Sequence, residues 1–287
     1  MEPAKILAVT KQIDDIQKAY NTLMGDQVAF ACLLMGIYGS GKTRCSCTGR
    51  LPILVDVFDP NGTVIFHTDP YLNQLRMERK IILRPFWKED SQNPTEYKRW
   101  EKQWRDDCKS GFLSLFGTYV IDSGTSWIEA MANYISHTKG GTRNYSIDGK
   151  ILTGNLEIQD YIPMYNIIMD LIKISSSQSC DLVYNAHLLT IEDEVTGTVV
   201  TVLDTFKRLK SKIPKCFSEK YVLMKQLAPD GAKHILLTHS TGKYEASSQL
   251  KASGKILSRE EPDLKKLLEK AGLPIEDKPI PWIKKGG

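Results

Sequence analysis

No stretch of this sequence approaches the ~20 consecutive apolar residues that span a bilayer. Its opening residues, MEPAKILAVTKQIDD, turn polar too soon for a secretory leader. The expectation is therefore a soluble, cytoplasmic protein without membrane partners. A dominant charge of one sign is missing too: Lys+Arg 38 against Asp+Glu 34 leaves +4, too small a bias to identify a partner. Of the six cysteines only Cys45 and Cys47 are close in sequence. A C-x-C without a second Cys/His pair at ligand spacing makes a poor zinc site, so free, mostly buried thiols are expected. Internal repeats and low-complexity blocks are also lacking. What remains is 287 residues, 41% hydrophobic and 25% charged, enough to bury a sizeable core without staples.

Residues 11–24 place Ile13, Ile16, Tyr20 and Leu23 at helical spacing, which makes 1–27 an N-terminal helical segment. Val28–Met35 and Ile53–Phe58 read as buried strands, the second closed by the turn Asp59-Pro60-Asn61-Gly62. Thr63–His67 reads as a short β-branched strand. Tyr97, Trp100, Trp104 and Cys108 line one helical face, a stripe expected to be core. Further strands fall at Tyr119–Ile121, Asp181–Ala186 and Ile235–Thr238, with a buried helix over Ile162–Ile174 and a hairpin over Thr190–Leu203 turning at Thr196-Gly197. Ser258 and Glu261 suit a capping box for a last helix that starts at Pro262 and closes at Gly272. Residues 273–287, rich in Pro and Lys, are expected to be a loosely held tail. Solid apolar strands alternating with helices imply an α/β fold with a mainly parallel sheet covered on both faces, in one domain over 28–272.

The sharpest motif is Gly36-Ile37-Tyr38-Gly39-Ser40-Gly41-Lys42-Thr43, a complete G-x-x-x-x-G-K-[ST]. Its glycines let successive backbone N–H groups aim into one concavity, which the following helix N-terminus makes more positive. Lys42 adds a mobile charge for the β- and γ-phosphates, and Thr43 offers a hydroxyl to Mg²⁺. The pattern follows a predicted strand and opens a predicted helix, and chance places it in only about one chain in a hundred of this length. The expected nucleotide-binding set is Gly36, Tyr38, Gly39, Ser40, Gly41, Lys42, Thr43 and Arg44.

Thr118-Tyr119-Val120-Ile121-Asp122-Ser123 is the matching Walker B segment, with Asp122 at the tip of a buried strand to hold Mg²⁺. Ser123 suits a cap on the next turn as well as a contact with water or metal. The attacking water needs a carboxylate. Asp59 and Asp69 both follow predicted strand ends, Glu129 on the helix after Asp122 is a third choice, and the sequence does not decide among them.

With the loop, the Asp122 strand and Leu182-Val183-Tyr184-Asn185-Ala186-His187 in place, the chain resembles phage-encoded RecA-like P-loop ATPases, among them the Sak-four group of single-strand-annealing recombinases. The resemblance runs from about residue 28 to 272 and includes the late Leu237–Tyr244 segment and Arg259-Glu260-Glu261-Pro262-Asp263. It implies a RecA-like core that uses ATP and Mg²⁺, in host cytoplasm if phage-encoded. It implies also that His187 senses the γ-phosphate, that Leu188–Lys220 faces DNA, and that subunits form a ring or filament in which Lys243, or secondly Arg208, reaches a neighbour's site. Charge agrees in part: Lys207, Arg208, Lys210, Lys212, Lys215 and Lys220 fall close together against one acid, Glu219, beside Phe206 and Phe217. A solvated basic face is the other reading, and Glu192-Asp193-Glu194 just upstream repels DNA.

The leading expectation is a DNA-stimulated Mg-ATPase acting on single-stranded DNA in phage recombination, annealing or replication, with a single-strand-binding protein as a possible recruiter. A translocation or packaging motor and a nucleotide-gated assembly protein with little hydrolysis stay open beside it.

Overall fold

Strand β1 (Ala31–Gly36) divides its side chains between two cores: Cys32 and Leu34 enter one, Leu33 and Met35 the other. The same alternation separates Val120 from Tyr119 and Ile121, and Val183 from Leu182 and Tyr184. Strands apolar on both sides need cover on both sides, and the chain supplies it. The computed structural model describes residues 10–18, 30–90, 93–138, 144–147, 150–154, 158–192, 199–207, 209–228 and 231–283.

Residues 10–18 form helix α1, exposed along its length; Tyr20 and Leu23 of the expected helix lie outside the described residues. After β1 come α2 (Lys42–Ser46), β2 (Ile53–Val57), α3 (Ile65–Thr68), α4 (Pro70–Met77), β3 (Ile81–Pro85), α5 (Glu96–Ser110), β4 (Thr118–Asp122) and α6 (Gly124–Thr138). A small hairpin, β5 (Asn144–Ile147) with β6 (Lys150–Gly154), precedes α7 (Tyr161–Ser176). Then follow β7 (Asp181–Glu192), β8 (Val199–Leu203), β9 (Glu219–Ala228), β10 (Gly231–Leu237), β11 (Arg259–Glu260) and α8 (Leu264–Ala271).

The main sheet runs β11-β10-β9-β1-β7-β4-β2-β3, with β8 paired to the outer half of β7. From β9 through β3 every pairing is parallel; β10, β11 and β8 are antiparallel additions. Helices α5, α6 and α7 cover one face with Trp100, Trp104, Trp127 and Leu171, and α2, α4 and α8 cover the other with Cys45, Leu72 and Leu267. The aromatic stripe of α5 is core: Trp100 stacks on Trp104 at 5.6 Å and meets Trp127 edge-on at 5.1 Å. All six thiols are free, four of them buried. Among the described residues no helix is long and apolar enough to cross a membrane.

Four local expectations are corrected. Thr63–His67 is not a strand: Phe66 N–H bonds to Thr63 O and Asp69 N–H to Ile65 O, so local helical bonds satisfy its backbone. The place beside β2 goes instead to β3, so pairing overrides β-branched propensity. Ser258 does not cap the last helix; Asp263 does, accepting from Lys266 N–H at 3.0 Å, because residues 259–260 join β10 as an edge strand. Strand β9 went unread because its lysines suggested a surface segment, yet Tyr221, Val222 and Leu223 are buried beside β1. The tail is a strap rather than a loose end. Asp277 Oδ1 accepts from Leu51 N–H (2.7 Å), Lys278 N–H donates to Leu51 O (2.8 Å), and Trp282 packs on Phe116 and bonds to Arg79 O.

Candidate functional site

The C-terminal ends of β1, β7, β4 and β2 meet along one edge of the sheet, and the loop from β1 to α2 turns over them. Gly41 sits at φ 95°, a left-handed conformation that strains any other residue, with the His234 ring of β10 against it. Gly36 is required for closeness: a Cβ there would strike the Ser40 side chain and sit 2.8 Å from Leu223 O. His234 Nδ1 lies 2.6 Å from Ser40 O, so an Nδ1–H donates to that carbonyl and braces the loop from outside. Ser40 Oγ is buried and has no hydrogen-bond partner among the described residues.

Lys42 is buried under this loop, and its ammonium has three N–H groups. They reach Gly36 O at 2.9 Å, Ile37 O at 3.1 Å and His187 Nδ1 at 3.2 Å. Burial is the largest influence on Lys42 and outweighs Asp122 and Asp59, bringing it down to about 8. With Nδ1 accepting, His187 carries its proton on Nε2, which donates to Asp59 Oδ2 at 3.1 Å. Asp59 Oδ1 accepts from Ser123 Oγ and Ser126 Oγ, each at 2.6 Å. Burial opposes the Asp59 charge, but the hydrogen bonds from His187, Ser123 and Ser126 prevail and hold the carboxyl at about 2.

Asp122 lies one strand further from the loop than the sequence suggested, because β7 separates β4 from β1. Its side chain spans the gap: Thr43 Oγ1 donates to Asp122 Oδ2 at 2.7 Å, and Asn185 Nδ2 to Oδ1 at 2.8 Å. Burial pushes the Asp122 carboxyl up from its ordinary range, against Thr43 and Asn185. A hydroxyl and a carboxylate so close form a hard oxygen pair, and Asn185 Oδ1 is a buried acceptor with no partner among the described residues. That donor set fits Mg²⁺, which takes one or two protein oxygens together with phosphate and water.

The structure therefore brings Lys42, Thr43, Asp122, Asp59 and His187 together. Asp69 stands apart: it caps α4 through Leu72 N–H and pairs with Arg44 Nε at 3.2 Å. Arg44 in turn lies 3.9 Å over the Tyr71 ring. Tyr38 is exposed, its ring 6.2 Å from His187. Glu129 is exposed on α6, and burial of its carboxyl, with Asp204 and Asp59 nearby, pushes it up. Lys243 lies on the loop after β10, its ammonium 5.5 Å from the Tyr244 ring.

The segment 207–220 is anchored rather than free, because Leu209, Ile213 and Phe217 are buried in the core. Phe206 packs edge-on against Tyr161, and Phe217 packs against Tyr184. Neither ring presents a face for a base, which corrects the expectation of an aromatic beside the phosphate track. Lys207 and Lys215 are exposed, Lys210 is half-buried, and Lys212 sits 4.5 Å from the Tyr165 ring. Arg208, Asp193, Glu194 and the hairpin tip lie outside the described residues.

Sequence reasoning missed Asn185, Ser126 and His234. For Asn185 a signal existed, since it is an amide inside the apolar run of β7 and two residues from His187 on the same face. Ser126 and His234 had none, because each joins the site only through folding.

No family model matches the sequence, and no curated protein does. Solved structures similar to the chain include the flagellar accessory protein FlaH from Methanocaldococcus jannaschii, at 10% identity and a TM-score of 0.41, covering 80% of this chain and 88% of that one. Another is a KaiC-like protein from Pyrococcus horikoshii, at 13% identity and a TM-score of 0.40, covering 77% and 82%. The assignment rests on the chain's own features: a complete phosphate loop after a central parallel strand, an Asp122 strand one place removed, and a polar-tipped strand between them. The chain has an α/β RecA-like P-loop NTPase fold.

Proposed function

We propose that the chain is a Mg-ATP-dependent ATPase that acts on single-stranded DNA, in recombination, annealing or replication. The observation that supports it most is the continuous contact from Lys42 through His187 to Asp59. Lys42 uses all three of its donors on protein acceptors, so a phosphate it takes must displace one of them. Releasing His187 frees the ring to follow the phosphate while its Nε2–H still holds Asp59. Asp59, ionised across the physiological range, orients a water for in-line attack; in a loose phosphoryl-transfer transition state orientation matters more than basicity. Thr43 and Asp122 would hold Mg²⁺, which supplies charge neutralisation on the phosphate oxygens when bound.

One observation favours a second reading. A carboxylate held at about 2 is a weak proton acceptor, which suits slow turnover and a nucleotide-gated assembly protein.

Phosphate release with and without an oligothymidylate, on the wild type and on Lys42→Ala, tests the proposal. Turnover raised by the oligonucleotide and lost in the variant supports it. Nucleotide binding without turnover in either condition moves the function to the second reading, and absence of nucleotide binding overturns both.

A further inference from the structure

A cavity of about 320 Å³ opens beside the phosphate loop, between the β7–β8 arm, the 210–214 turn and the loop 240–245. Three lysines from three different segments line it: Lys210, Lys220 on β9 and Lys243. Its acid is Glu245, whose side chain is 74% exposed and whose Oε1 lies 3.6 Å from Lys220 Nζ, a loose contact. The wall on the strand side holds Thr201 of β8, which is 8% exposed and whose Oγ1 has no hydrogen-bond partner among the described residues. Leu188, the residue after His187, supplies apolar surface. A buried hydroxyl without a partner costs about 1–3 kcal/mol, and ammoniums in excess over carboxylates attract an anion. The far wall is a built loop, because Ser240 Oγ donates to Ala246 O and Thr241 Oγ1 accepts from Tyr244 N–H.

We propose that this cavity is a second phosphate site, distinct from the Lys42 loop, in which Lys210, Lys220 and Lys243 neutralise a phosphate group and Thr201 hydrogen-bonds it. This deepens the reading above and rests on it for the source of the phosphate, the backbone of a single DNA strand. The lysines alone make a basic surface; the unsatisfied Thr201 hydroxyl makes it a site. Three contacts of this kind give log K against log salt a slope of about −2 on a single strand, at about 0.7 per contact.

The test uses a fluorescent oligothymidylate and, separately, pyrophosphate, with the full chain carrying Lys42→Ala so that the loop does not compete. Fold is checked by thermal melting. For the oligonucleotide, the expected result is a tenfold or greater loss of affinity in Lys210→Gln/Lys220→Gln, with the salt slope lowered by about 0.7 for each lysine removed. Thr201→Val, which keeps the shape and every charge, is expected to weaken binding severalfold without changing that slope. Oligonucleotide binding that neither change affects overturns the cavity and leaves the single-strand reading standing. Pyrophosphate binding that depends on Lys210 and Lys220, with no oligonucleotide binding, keeps the site and overturns the DNA source. Binding of neither probe overturns the site.

Discussion

His187 Nε2 lies 3.1 Å from Asp59 Oδ2, and the opposite nitrogen of the same ring lies 3.2 Å from Lys42 Nζ. One imidazole thus separates the phosphate-loop cation from the carboxylate that aims the water. Asp59→Asn keeps the shape but removes the acceptor strength, and we expect it to lower the rate of ATP cleavage about 10²-fold or more with nucleotide affinity little changed. His187→Ala should lower cleavage as well. The double variant should fall short of the product of the two losses, because both residues act through one contact. A thermodynamic cycle on single-turnover rates measures this; full additivity contradicts the relay.

Titration of Lys42 sets a pH limit on binding. Burial brings it down to about 8, and its charged form, present below that value, is the one that attracts phosphate. Nucleotide affinity should therefore be flat below about 7 and fall as pH rises through 8, approaching tenfold per unit. Asp59 has the opposite sense: held at about 2 against an ordinary 3.8, it adds stability above about pH 4, of the order of 2 kcal/mol, which disappears as pH falls toward 2. Calorimetric titration of ADP at pH 6.5 to 9.5 reads the first effect. A constant affinity across that range contradicts the Lys42 assignment.

His234 is predicted to position the loop without touching the reaction. Its ring holds Ser40 O at 2.6 Å and lies against Gly41. His234→Ala should weaken nucleotide binding severalfold, while His234→Gln, which can still donate, should recover part of it. Equal losses in the two variants would show that ring bulk rather than the hydrogen bond supports the loop.

At the opposite end of the strands, Arg50 and Asp181 form a buried ion pair through both Nε and Nη2, and Asp181 also accepts from Phe30 N–H. Removing one member leaves a charge buried without its counterpart, which costs about 3–5 kcal/mol. Arg50→Met should lower unfolding stability by that amount in urea. Replacing both, as Arg50→Met with Asp181→Leu, should cost less than the two single losses added together.

Legibility in the sequence followed the range of each interaction. The phosphate loop could be read because its chemistry needs glycines and a lysine in consecutive positions. The aromatic stripe of α5 could be read because helical period places Trp100 and Trp104 on one face. The carboxylate could not be chosen, because Asp59, Ser123, Ser126 and His187 come from three separate strand ends. Asp69 looked equivalent until its carboxylate proved to be occupied with a helix cap and Arg44. The C-terminal strap was unreadable for a related reason: Asp277 and Lys278 look solvated until Leu51 is placed beside them.

The most direct measurement is single-turnover cleavage of ATP, with γ-labelled nucleotide mixed with excess protein and Mg²⁺, on the wild type and Asp59→Asn side by side. The account predicts that both bind the nucleotide and that only the wild type cleaves it at an appreciable rate, faster when single-stranded DNA is present. Equal cleavage by the two proteins would contradict the role given to Asp59 and to the Lys42–His187–Asp59 contact.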